Sequence, residues 1–222
     1  MQIFSRLAAA TLFLTTSAIA MPPPLPAVEG KDAASLQNEL AENRTTSEAI
    51  TAAYLERIRT IDDSGAALNA VIATFPDALT EARARDLERR AGRIRGPLHG
   101  IPVLLKDNIE ARGPVPTTAG SLALKDNITN RDAPLVARLR EAGAVILGKT
   151  NLSEWANIRS NNSTSGWSAV GGLTKNPYAL DRNTCGSSAG SGAAMAASLA
   201  TITIGTETDG SITCPAGVNG VV

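Results

Sequence analysis

Aromatic residues are scarce, with Phe, Tyr and Trp making up 3% of the 222 residues. A chain so poor in aromatics lacks the stacking platforms on which single-stranded nucleic acid is bound. Charge of one sign is not in excess either: 21 Lys and Arg balance 21 Asp and Glu. No broad positive field is available for a phosphate backbone or an anionic membrane face, so no nucleic-acid partner is expected. Cysteine is limited to Cys185 and Cys214. One pair builds no disulfide framework and supplies too few ligands for a zinc site, so no metal is expected, and pairing of the two is left open. The only histidine is His99, so a Ser-His-Asp triad would have a single candidate base. Apolar runs long enough to span a bilayer are missing too.

What is present is a chain with 43% hydrophobic residues and 19 glycines, enough for one sizeable core with many tight turns. Residues 1–20 read as a secretion signal. Arg6 supplies the positive charge, residues 7–19 the apolar stretch, and Ala18-Ile19-Ala20 the small-x-small cleavage site. An anchored helix is the alternative, but the run is short and Met21-Pro22-Pro23-Pro24 ends it. The mature chain is therefore expected to begin near Met21 and to be extracellular, with residues 21–31 as a Pro-rich spacer before a domain over 32–222. Sequons at Asn43, Asn127, Asn151, Asn161 and Asn162 permit glycosylation where exposed. Those at Asn151, Asn161 and Asn162 are disfavoured because their segments fall near the expected site.

Helical spacing covers residues 32–42 and 47–61, the second opening on a possible capping box of Thr45 and Glu48. A strand follows over 68–74, a helix over 76–91 and a short apolar run over 101–106. Residues 133–141 read as a helix stopped by Gly143, and 144–147 as a buried strand. A helix of small residues, 189–199, then leads into a strand over 200–204. Strands alternating with helices predict an α/β fold with a mixed, largely parallel sheet covered by helices.

Three Gly-rich segments sit where strands or helices meet loops: residues 96–100, 186–192 and 205–211. The second resembles a phosphate nest at a helix N-terminus, but neither a Gly-Lys-Ser/Thr ending nor an acidic ribose partner accompanies it. Ser-rich loops suggest a serine nucleophile, which needs a base. His99 lies in the turn-like Gly96-Pro97-Leu98-His99-Gly100 run and reads as structural. Lys106 ends the apolar run Ile101-Pro102-Val103-Leu104-Leu105, where burial would disfavour its charged form, although a strand-end lysine by itself more often reaches solvent.

Three blocks together resemble the amidase-signature family. They are Gly96 to Ile109 with Lys106; Ala142-Gly143-Ala144-Val145-Ile146-Leu147-Gly148-Lys149-Thr150-Asn151-Leu152-Ser153-Glu154; and Gly186 to Pro215, including Gly205-Thr206-Glu207-Thr208-Asp209-Gly210-Ser211-Ile212. The resemblance runs from about Ser35 to Val222. It implies Ser211 as nucleophile, Ser187 as the bridging serine behind a cis peptide bond, and Lys106 as base. It also implies an oxyanion hole from the backbone N–H groups of Thr208, Asp209, Gly210 and Ser211. The implied activity is hydrolysis of a small-molecule amide without a cofactor.

Ser188 is expected to orient its neighbours, and Asp107 and Asp209 to orient the relay. Trp155, Trp167 and residues 160–166 are expected to pack on the core more than to border a pocket. Where the family often has Pro-Gly-Gly before its paired serines, this chain has Thr184-Cys185-Gly186. Family members are considerably longer, so the chain reads as an N-terminal fragment or truncated product with an exposed sheet edge. A non-catalytic remnant acting as a binding protein is the alternative. The glutamine-amidotransferase branch is disfavoured by the secretion signal, and the substrate-binding residues are unknown.

Overall fold

A computed structural model describes residues 24–222. The secretion signal read in residues 1–20 lies outside them. The end of the Pro-rich segment packs down: Val28 is buried and its carbonyl accepts from the Tyr54 hydroxyl at 3.3 Å.

Helices α1 (Ala33–Ala41) and α2 (Ser47–Arg57) precede the first strand, β1 (Val71–Thr74), and α3 (Ala78–Arg90) follows it. The capping box is replaced by a different arrangement. Thr46, not Thr45, caps α2 by accepting from the Ala49 N–H, and the Asp86 carboxylate of α3 takes the Ser47 and Glu48 N–H groups at 2.7 and 3.0 Å. Glu48 instead pairs with Arg83. Helix α2 ends at Arg57 and the chain continues as a π-helical turn, Ile58–Asp63, whose Asp62 carboxylate accepts from the Ala70 and Val71 N–H groups.

Next come β2 (Pro102–Lys106), α4 (Pro134–Glu141) and β3 (Val145–Thr150). Two short antiparallel ribbons follow, β4 (Trp167–Ser168) with β5 (Gly172–Leu173) and β6 (Lys175–Asn176) with β7 (Ala179–Asn183). The chain closes with α5 (Ala189–Ala196), β8 (Ile202–Ile204) and α6 (Thr213–Asn219). The main sheet has the order β1-β3-β2-β8; β2 is parallel to both neighbours and β1 is antiparallel to β3. This is the mixed, largely parallel sheet that the alternation of elements implied.

Every residue of β2 and β3 is buried, the pattern of central strands covered on both faces. Their register sets Lys106 opposite Thr150 and Leu105 opposite Lys149. Because side chains alternate across a strand, Lys106 and Thr150 project to one face and Lys149 to the other. On the first face lies α5, where Ser191 and Thr150 share a hydroxyl hydrogen bond of 2.8 Å.

The small residues of α5 allow a close approach. A Cβ at Gly190 would strike the Ala70 carbonyl and the Asn151 backbone, so only glycine fits there. The helix ends sooner than its composition suggests because Ser198 turns into the left-handed region at φ 52°. There the Leu199 N–H closes onto the Ala194 carbonyl and delays β8 to Ile202.

Candidate active site

The C-terminal ends of β2, β3 and β8 open on one side of the sheet, the side where open α/β folds hold their ligands. Lys106 is the last residue of β2, and Gly205-Thr206 follow β8. The N-terminus of α5 brings Ser187 to the same point. Lys106 Nζ donates to Ser187 Oγ at 2.7 Å, and Ser187 Oγ donates to Ser211 Oγ at 3.0 Å. The Gly186–Ser187 peptide bond is cis. The three residues named from the sequence therefore form one continuous chain of hydrogen bonds.

Lys106 and Ser187 are fully buried. Burial disfavours the ammonium and brings the Lys106 pKa down to about 8. Its other partners both belong to Thr206: the carbonyl oxygen at 3.1 Å and Oγ1 at 2.9 Å. Asn108 Nδ2 donates to the same Oγ1 at 3.0 Å. Thr206 and Asn108 were not singled out in the sequence. Both stand inside the quoted motifs, one residue past Gly205 and two past Lys106, but nothing in their type marks them as lysine-orienting.

Ser188 orients its neighbours as expected. Its N–H donates to the Ser211 carbonyl at 3.0 Å, and its Oγ donates to the Thr206 carbonyl at 3.1 Å while accepting from the Thr206 N–H at 3.2 Å. Because the Ser188 N–H is spent there and the Gly190 N–H goes to the Asn151 carbonyl at 2.9 Å, this turn is no open phosphate nest.

Two expectations need correction. Asp107 does not orient the relay directly. Its carboxylate accepts from the Thr118 N–H and hydroxyl, and from Lys149 Nζ at 3.5 Å on the other face of the sheet. Lys149 is itself fully buried and also donates to the Ile109 carbonyl at 2.7 Å and Thr117 Oγ1 at 2.9 Å. The nucleophile loop also departs from expectation. The Gly210 N–H, one of the four expected oxyanion donors, donates to Glu207 Oε1 at 3.2 Å. Glu207 Oε2 accepts from the Ile212 and Thr213 N–H groups at 2.6 and 2.8 Å, and these bonds hold its carboxyl below the usual carboxylate range. Glu207 thereby brackets Ser211 on both sides.

A cleft of about 500 Å³ opens over the serines, lined by Ser187, Ser211, Thr208, Asp209, Asn108 and Ile158 among others. The segment after β3 contributes more to it than expected. Trp155, Ala156 and Asn157 all take positive φ, which turns Ala156 to Ile158 toward the serines. Trp155 lines an adjoining apolar cavity with Ile109, Leu124 and Leu135. Trp167 is half-exposed under the Arg159 guanidinium, 5.4 Å away, and stays out of the cleft lining. Ser165 accepts from Asn157 Nδ2 at 3.1 Å and so braces the cleft wall from behind.

His99 has the structural role expected of it: it is buried, with Nε2 2.9 Å from the Arg85 carbonyl. Asn151 is fully buried, while Asn161 and Asn162 are exposed on their loop, so the case against those two sequons does not rest on burial. Cys185 and Cys214, left open in the sequence, are joined as a disulfide. No helix among the described residues is long and apolar enough to cross a membrane.

A family model described as Amidase matches residues 49–222. The native peptide amidase of Stenotrophomonas maltophilia superposes with a TM-score of 0.85 at 59% sequence identity, over 88% of this chain and 40% of that one. An amidase family protein from Bacillus anthracis superposes with a TM-score of 0.81 at 42% identity, over 85% of this chain and 37% of that one. A probable amidase of Arabidopsis thaliana is 50% identical over 183 residues, 82% of this chain and 35% of the relative. The chain thus spans well under half the length of the proteins it matches. With matched residues reaching from 49 to 222, the chain belongs to the Amidase family.

Proposed function

We propose that this chain carries the reacting groups of an amidase that hydrolyses the C–N bond of a small carboxylic acid amide through an acyl-enzyme on Ser211. The observation that carries this reading is the run of hydrogen bonds from Lys106 Nζ through Ser187 Oγ to Ser211 Oγ, at 2.7 and 3.0 Å. A neutral Lys106 has two N–H bonds and one lone pair. Thr206 O and Oγ1 accept the two N–H bonds, which leaves the lone pair directed at Ser187.

Ser187 then passes its proton to Lys106 and takes one from Ser211, whose oxygen attacks the amide carbon. The developing oxyanion is met by backbone N–H groups of Thr208, Asp209 and Ser211, while the Gly210 N–H stays with Glu207. Reversal of the relay delivers a proton to the leaving amine, and water releases the acid.

The similarity to a peptide amidase makes a peptide C-terminal amide the first substrate to test. Incubation of the purified chain with such an amide is expected to release ammonia and the free peptide acid, and Ser211→Ala to abolish both. A folded chain that releases neither would favour the reading as a non-catalytic binding protein. We further infer export through the segment at residues 1–20, a reading supported by the Cys185–Cys214 disulfide, which an oxidising compartment would maintain. N-terminal sequencing of secreted protein should then start at Met21.

A further inference from the structure

Cys185 lies two residues before Ser187 and Cys214 three residues after Ser211, and their disulfide has a Cα–Cα distance of 5.9 Å. Both serines therefore sit inside one covalent ring, close to the bond that shuts it. The ring includes α5 and β8, which are held independently by the core. What the bond holds beyond them is the outer side of the site.

Helix α6 is only seven residues long and is buried at just Pro215 and Asn219. Its remaining tie to the Ser187 loop is Asn219 Nδ2, which donates to the Thr184 carbonyl at 3.2 Å. Cys185 takes φ 58°, a left-handed conformation that non-glycine residues adopt rarely, and Asn183 holds it there by accepting from the Cys185 N–H at 2.6 Å. Cys214 donates its own N–H to the Gly210 carbonyl at 2.9 Å. Each half-cystine is thus hydrogen-bonded into the loop that carries one of the two serines. Neither is fully buried, so a small dithiol can reach the bond.

We propose that the Cys185–Cys214 disulfide is a positioning cross-link that keeps Ser187 and Ser211 within hydrogen-bonding distance, and that its reduction reversibly silences Ser211 while the fold persists. The proposal rests on the relay described under the proposed function. In the reduction, a dithiol thiolate attacks one sulfur and forms a mixed disulfide. Its second thiol then displaces the protein sulfur, so that two electrons and two protons pass to Cys185 and Cys214 and the dithiol leaves as a cyclic disulfide. A purely stabilising cross-link would change the melting temperature but not the reactivity of Ser211 well below it.

The test is the rate at which a fluorophosphonate modifies Ser211 in the purified 222-residue chain, read by peptide mass before and after dithiothreitol, with circular dichroism alongside. Reduction is expected to slow labelling about tenfold or more without changing the spectrum, since a displacement of about 1 Å between reacting groups costs up to 10²-fold. Reoxidation should restore the rate, and Cys185→Ser/Cys214→Ser should label slowly with or without reductant. Should that variant not fold, reduction of the wild-type chain in place gives the answer by itself. Equal labelling of the oxidised and reduced chains overturns the proposal, as does loss of the fold on reduction. An oxidised chain that never labels overturns the relay itself, and is told apart because it fails before any reductant is added.

Discussion

The N–H of Ser188 donates to the carbonyl oxygen of Ser211 at 3.0 Å, so the two serine-bearing loops are joined through the main chain one residue away from where their side chains meet. The Oγ contact between Ser187 and Ser211 thus rests on this main-chain bond together with the Cys185–Cys214 cross-link, and the Lys106 contact on the end of a buried strand. Changes at side chains around this frame should alter proton transfer before they alter the fold.

Lys106 should give the activity its pH dependence. With a pKa brought down to about 8 by burial, about one molecule in ten carries the neutral amine at pH 7. Activity is expected to rise with pH and level off above about 8. Lys106→Arg, whose guanidinium stays charged, should lose activity across the whole range. A rate independent of pH between 6 and 9 would rule Lys106 out as the titrating base.

Thr206 should influence where that rise falls. Its hydroxyl accepts from Lys106 Nζ at 2.9 Å, which favours the charged form. Thr206→Val removes the acceptor, so the midpoint of the pH profile should move to lower pH, with kcat reduced about tenfold through lost orientation of the amine. Thr206→Ser should restore both. A Val variant with an unshifted profile would show that the hydroxyl does not act on the lysine.

On the opposite face of the sheet, Lys149 and Asp107 form a buried pair in which burial pushes the carboxyl up and the amine down. Lys149→Met leaves the Asp107 carboxylate without its cation, which for buried pairs costs about 3–5 kcal/mol. Urea denaturation should show that loss, and Lys149→Met/Asp107→Asn should recover part of it. A double variant whose loss equals the sum of the Lys149→Met and Asp107→Asn losses would mean that the two groups are not coupled.

Asp62 should make stability fall as pH rises. Burial raises its pKa to about 6, so the folded chain binds a proton more tightly there than the unfolded chain does. The contribution is complete below the ordinary aspartate pKa and is lost as pH climbs through about 6. Thermal melts of Asp62→Asn against wild type should show a gap that widens in favour of the variant between about pH 4 and 6. A constant gap would contradict the assignment.

Lys106, Ser187 and Ser211 were legible only through the resemblance of their three blocks to the amidase-signature family, and the α/β layering because strand and helix periods differ. Less legible were features set by distant partners. Thr46 rather than Thr45 caps α2 because Asp86, from another helix, occupies the adjacent N–H groups. Asp107 turns from the relay because Lys149 waits on the far face, and only the strand register reveals that pairing. The engagement of Gly210 by Glu207 and the swing of Trp155 to Asn157 into positive φ are likewise local conformations without a signature in residue type.

Peptide-mass analysis of the oxidised wild-type chain after fluorophosphonate treatment shows whether Ser211 reacts through Ser187 and Lys106. A single modified residue, Ser211, is expected, with labelling lost in Lys106→Ala and Ser187→Ala. Modification of another serine, or undiminished labelling of Ser211 in both variants, would contradict this relay.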